Sequence, residues 1–77
     1  MAGAVARYIL QFLNDCGEPI ETFESATPFH VFVEGQAVEL YDHPGAWEVD
    51  AVRHSIGHTR DRRTMIVQLT VHLREGG

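Results

Sequence analysis

The chain has 77 residues, enough for one small domain. A chain of this length buries only about 60% of its unfolded surface. The hydrophobic share of 44% against 22% charged residues excludes a composition-driven disordered chain. The net charge is −5, all six basic residues are arginine, and no apolar run nears the ~20 residues of a membrane-spanning helix.

Other coarse features set further expectations. Met1 is read as the start of a complete frame. The apolar run of residues 8–13, short, interrupted by Gln11 and without a small-residue cleavage site after it, is not read as a signal peptide. Cys16 is the single cysteine, so no internal disulfide is available. These features predict a soluble, cytoplasmic domain without a membrane partner. Charge is segregated by sign. Between Tyr8 and Val52 stand Asp15, Glu18, Glu21, Glu24, Glu34, Glu39, Asp42, Glu48 and Asp50 with no basic residue among them. From Arg53 onward Arg53, Arg60, Arg62, Arg63 and Arg74 outnumber Asp61 and Glu75.

In chain order, residues 1–6 read as a frayed arm, as do 75–77. Residues 5–16 fit two patterns. Val5, Tyr8, Ile9, Phe12, Leu13 and Cys16 fall at helical spacing, with Gly17 as a stop. As a strand, the stretch puts Tyr8, Leu10 and Phe12 on one face and Ile9, Gln11 and Leu13 on the other. The turn formers in Asn14-Asp15-Cys16-Gly17-Glu18-Pro19, and the alternating Ile20-Glu21-Thr22-Phe23-Glu24 beyond them, favour a strand that the next run pairs with. A short N-terminal helix is the alternative.

After the break at Ala26-Thr27-Pro28, residues 29–33 are aromatic and β-branched. Val38 and Leu40 then alternate with Glu39 and Tyr41. Asp42-His43-Pro44-Gly45 predicts a type II turn centred on Pro44-Gly45, returning through Trp47 and Val49. The last hairpin pairs residues 47–56 with 65–73 around a polar loop. Its expected register sets Gly57 opposite Met65, Val49 opposite Leu73, Ala51 opposite Val71, Asp50 opposite His72 and Glu48 opposite Arg74. The alternation falters at Asp50-Ala51-Val52, where a β-bulge would switch faces and shift this register by one beyond it. The expected fold is mainly β, a small antiparallel barrel or sandwich of about five strands, with Trp47 buried.

The run Glu34-Gly35-Gln36-Ala37-Val38-Glu39-Leu40, then Pro44-Gly45-Ala46-Trp47-Glu48-Val49, then a hairpin reaching Leu73, resembles small β-barrels of the Src-homology-3 kind. The likeness covers residues 31–73 and implies a barrel. It carries over no functional residue, because the acidic loop and ligand-stacking aromatics of the peptide-binding members have no counterpart here.

Chemistry-bearing residues are sparse in pattern. Five histidines are present, and His54 and His58 stand four apart. On a strand that spacing does not converge on one ion, so neither a metal nor a cofactor is expected. Cys16 lies between Asp15 and Glu18, whose charges disfavour the thiolate. No catalytic constellation or phosphate-binding loop appears, so the chain is not expected to be an enzyme. The sequence points instead to a non-catalytic interaction or accessory module that binds a protein partner or itself, with a basic partner suiting its charge. Candidate contact residues are Phe29, Phe32, Tyr41 and Ile66, with Arg60, Arg62 and Arg63 in the final loop. The alternative is a metal-binding or nucleic-acid-associated domain using the histidines or the 60–63 loop. Nucleic acid is not expected as the main partner, since the acidic surface repels phosphate.

Overall fold

The computed structural model describes residues 5–76, and these form five strands with no helix among them. The strands are β1 (Val5–Leu13), β2 (Pro19–Ser25), β3 (Ala37–Leu40), β4 (His43–His58) and β5 (Thr64–Glu75). They make one curled sheet in the order β2-β1-β5-β4-β3, a half-barrel. The mainly-β, five-strand expectation therefore holds. Val5 and Ala6, expected in a frayed arm, pair with Thr64 and Met65, and Glu75 pairs with Trp47. The remainder of those two termini, residues 1–4 and 77, lies outside the described residues.

β1 is a strand because both its sides are paired: antiparallel to β2 and parallel to β5. The parallel ladder departs from the all-antiparallel expectation. Its two strands are separated by the rest of the chain, so no local turn signal announces the pairing. The β1–β2 turn is built by Asn14, whose Oδ1 accepts the backbone N–H of Cys16 and of Glu18, each at 2.9 Å.

Alternation then decides the faces. Leu10 pairs with Leu69 and Phe12 with Val71 on the concave side. Val49, Val71 and Leu73 are fully enclosed, and Leu10, Phe12, Leu40 and Leu69 complete the core. Full burial of one such side chain stabilises the fold by about 1.5–3 kcal/mol. Residues 26–36, expected to contribute a strand at 29–33, instead cross the concave face as an irregular cover whose Phe29 and Phe32 pack on the core. The cover is fastened by Gly35 N–H to Val49 O and Val49 N–H to Gln36 O, both 2.8 Å. On the convex side, Gln68 donates to Gln11 Oε1 at 3.4 Å and to Thr70 Oγ1 at 3.3 Å.

Two local readings need correction or refinement. The β3–β4 turn is not centred on Pro44-Gly45. It is a two-residue turn at Tyr41-Asp42, with Leu40 opposite His43. Pro44 and Gly45 sit inside β4, in an irregular stretch that opens between the pairs Leu40–His43 and Val38–Trp47. Gly45 has φ 140°, which accommodates that detour, and Trp47 Nε1 donates to His43 O at 2.9 Å across it. Trp47 is half-buried against the core rather than enclosed.

In the β4–β5 hairpin Glu48–Arg74 and Val49–Leu73 pair as expected, and the bulge falls between Val49 and Ala51. Beyond it the register moves by one. Ala51 faces His72 rather than Val71, Asp50 takes the bulge instead of facing His72, and Gly57 meets Ile66 rather than Met65. Arg74 still reaches both acids, Glu48 at 2.9 Å and Asp50 at 3.0 Å.

The molecule is long for its mass, 51 × 21 × 19 Å. At one end the sheet is closed over by β3 and the 26–36 cover. At the other, β4 runs on past β3, and residues 51–58 pair with β5 alone.

Candidate interaction site

The two terminal strands of the sheet, β2 and β3, approach each other as the half-barrel curls. Between them lies a groove of about 460 Å³ lined by Phe12, Glu21, Phe23, Phe32, Val38, Glu39, Leu40, Tyr41 and Asp42. Each element has a reason to face it. Glu21 pairs with Phe12 and Phe23 with Leu10, so both β2 residues share the concave face of the core. Val38 and Leu40 are the inward half of β3's alternation, and Tyr41 and Asp42 are the turn that follows.

The floor is rigid. Phe12, 4% exposed, meets Phe23 edge-to-face at 6.4 Å and Phe32 at 5.6 Å. Such arrangements let the positive ring edge point at the negative face of its neighbour. The walls are open: Phe23 is 44% exposed and Tyr41 95%. Glu21, Glu39 and Asp42 are the carboxylates that line the groove. At its closed end the Glu21 carboxylate lies 3.3 Å from His43 Nε2, a contact that spans the two sides of the half-barrel.

The structure brings some of the sequence candidates together and scatters the rest. Phe32 and Tyr41 meet in this groove. Phe29 lies nearer the open end, in a smaller cavity of about 140 Å³ with Tyr8, Pro28, His54 and Val67. Ile66, half-buried, sits opposite Arg7 and Gly57 on the convex face. Arg60, Arg62 and Arg63 are exposed at the tip of the β4–β5 hairpin, at the open end of the sheet. The groove also recruits Phe12, Glu21, Phe23, Val38 and Leu40, which sequence reasoning assigned to ordinary strand positions. The alternation of residues 20–24 placed Glu21 and Phe23 on one face, but nothing local says that this face meets β3.

The remaining chemistry is dispersed. His54 and His58 share the concave face of β4, opposite Leu69 and Met65. Four residues along a strand span about 13 Å, well beyond the reach of one ion. Among the described residues no three His, Cys, Asp or Glu side chains converge as a metal site. Cys16 is exposed, and the Asp15 carboxylate beside it is the main cause that holds its thiol above the usual range.

In the hairpin loop Asp61 accepts from the Thr59 hydroxyl at 2.5 Å and from Arg63 N–H at 3.1 Å. These bonds, led by that from Thr59, hold its carboxyl below the ordinary range. Arg62 takes φ 60° in this loop.

No family model, curated protein or solved structure matches this chain. No helix among the described residues is long and apolar enough to cross a membrane.

Proposed function

We propose that this protein is a non-catalytic interaction module whose ligand is a basic segment of a protein. The observation that carries the reading is the composition of the β2–β3 groove. Exposed aromatic rings over a close-packed phenylalanine floor stand beside three carboxylates, with no lysine or arginine in the lining. An arginine or lysine side chain suits it on two counts. Its aliphatic stem covers apolar surface while its head stays hydrated, and its cation is attracted both to the carboxylates and to the faces of Phe23 and Tyr41. The groove also opens between two strand edges, where an extended segment finds unpaired backbone groups. The Src-homology-3 likeness agrees with such a role only in strand pattern, and it supplies none of the groove's residues.

The test is an isotope-edited titration with short extended peptides that differ only in carrying arginine, serine or glutamate at alternate positions. The arginine peptide is expected to move the amide signals of Phe23, Val38, Leu40 and Tyr41. The double substitution Glu39→Gln, Asp42→Asn should weaken it about tenfold, which is 1.4 kcal/mol. Equal response to the glutamate peptide, or perturbation confined to other parts of the sheet, would discard the reading.

A further inference from the structure

The arginines divide into two sets. Arg7 pairs with Glu24 at 2.9 Å, and Arg74 with Glu48 and Asp50. Among the described residues Arg53, Arg60, Arg62 and Arg63 make no ion pair. All four lie on the part of β4 that has outrun β3 and on the loop that follows it. Residues 51–63 carry these four arginines against the single acid Asp61, a net +3 with histidine neutral.

The same stretch has an incomplete ladder. Residues 51–58 bond to β5 on one side. On the other, no loop backbone among the described residues donates to them or accepts from them. A strand's unpaired N–H and C=O groups are a template for another strand unless something protects them. Of the other two free edges, β3 has only four residues, and β2 starts with Pro19 and carries Glu21 and Glu24, which guard it against acidic strands but not against a basic one. The far half of β4 has neither proline nor carboxylate, and its Ile56 is 70% exposed.

The complementary edge is β2. It is terminal in the sheet, so its outer side is unpaired. Its seven residues match the eight of the open β4 edge in length. Residues 14–25 carry Asp15, Glu18, Glu21 and Glu24 and no basic residue, a net −4. This edge also forms one wall of the acidic, aromatic groove.

We infer that the basic segment this module takes is that of a second copy of the chain: the open β4 edge, residues 51–58, with its arginine loop, docks along the β2 edge of a neighbour. The inference rests on the reading of the groove and names its ligand. Because donor and acceptor edges differ, the contact is head-to-tail, and it propagates unless the rotation between copies closes a ring.

Sedimentation of the full chain over a range of concentrations, at about 50 mM and about 500 mM salt, tests this. Reversible association is expected at low salt and should weaken at least about tenfold at high salt. Two sets of charge-changing substitutions on exposed side chains outside the groove lining sharpen the test. Arg53→Glu with Arg63→Glu takes residues 51–63 from a net +3 to −1, and Asp15→Arg with Glu18→Arg and Thr22→Arg takes residues 14–25 from −4 to +1. Each variant alone should remain monomeric, while an equimolar mixture should associate, because each supplies an edge the other can accept. Loss of packing from a substitution would not be restored by mixing.

Amide exchange should show residues 51–58 gaining protection as concentration rises. A chain that stays monomeric at low salt, variants that associate as before, or a mixture that stays monomeric would each overturn the inference. Arginine-peptide binding in the groove by a monomeric chain would leave the module reading standing and remove only the second copy as its ligand.

Discussion

The two ends of the β4–β5 hairpin carry similar sequence and have opposite fates. Near the bulge, Val49, Val71 and Leu73 are sealed to 2% exposure or less, whereas Ile56, on the same concave side seven residues further along β4, is 70% exposed. Both ends alternate apolar and polar residues, and both pair with the neighbouring strand. The difference is coverage. The 26–36 segment and β3 close one end, whereas at the other the segment reaches only as far as His54 and leaves Ile56 exposed. Alternation selects a face, but a face becomes core only where a third element lies on it.

The largest expected effect tests that contrast directly. Phe12→Ala removes the ring at the junction of Phe23, Phe32 and the covered core, and should cost about 3–5 kcal/mol. That is a large share of the whole stability of a domain this size, about 4–12 kcal/mol. Ile56→Ala at the open end should stay within about 0.5 kcal/mol in dilute solution. Urea denaturation of both variants at a concentration where the chain is monomeric checks the pair. A cost for Ile56→Ala near that of Phe12→Ala would mean that the far end is covered too.

A smaller effect, opposite in sign at the two ends, is expected from glycine. Gly45 occupies φ 140° beside Trp47, so Gly45→Ala forces a side chain into a strained conformation at about 1–2 kcal/mol. Gly57 is in ordinary extended backbone, and a Cβ added there meets nothing within 4 Å. Gly57→Ala should therefore stabilise the strand by about 0.5–1 kcal/mol. Thermal melts of the two variants give the signs directly, and a destabilising Gly57→Ala would show that the far half of β4 needs glycine for a reason other than its conformation.

The smallest effect concerns the loop at the open end. Because the folded Asp61 carboxyl titrates below its ordinary value of about 3.9, its contribution is fully present above that value. It is lost as pH falls through the lower, folded one. The group is exposed, so the loss should appear as local opening of the hairpin loop rather than global unfolding. Amide exchange at residues 59–64, compared between wild type and Asp61→Asn across the acid range, should show the pH step in the wild type alone. A step retained in the variant would assign it to another carboxylate.

How much of this was legible in the sequence varies by element. The strand character of residues 5–13, the pairing of 20–24 back onto it, the β4–β5 hairpin and its bulge at Asp50 were all readable. Each depends on alternation and turn residues within one stretch of chain. Pro44-Gly45 misled for the same reason: its turn chemistry is strong in isolation, but Leu40 pairs with His43, which moves the reversal to Tyr41-Asp42. The segregation of charge along the chain was visible as well, and the fold turns it into a basic edge and an acidic one.

What local pattern could not supply was every relation between residues far apart. The parallel β1–β5 ladder brings Leu10 beside Leu69 across nearly the whole chain, and its parallel sense leaves no hairpin turn to mark it. The curl that sets Phe23 near Tyr41 and makes a groove, and the four-residue length of β3 that leaves residues 51–58 without a neighbour, are likewise properties of the closed sheet. Local sequence sets which way a side chain points along its own strand. Which strand lies next to it, and where the sheet runs out of neighbours, is decided by the shape that buries most apolar surface for the chain as a whole.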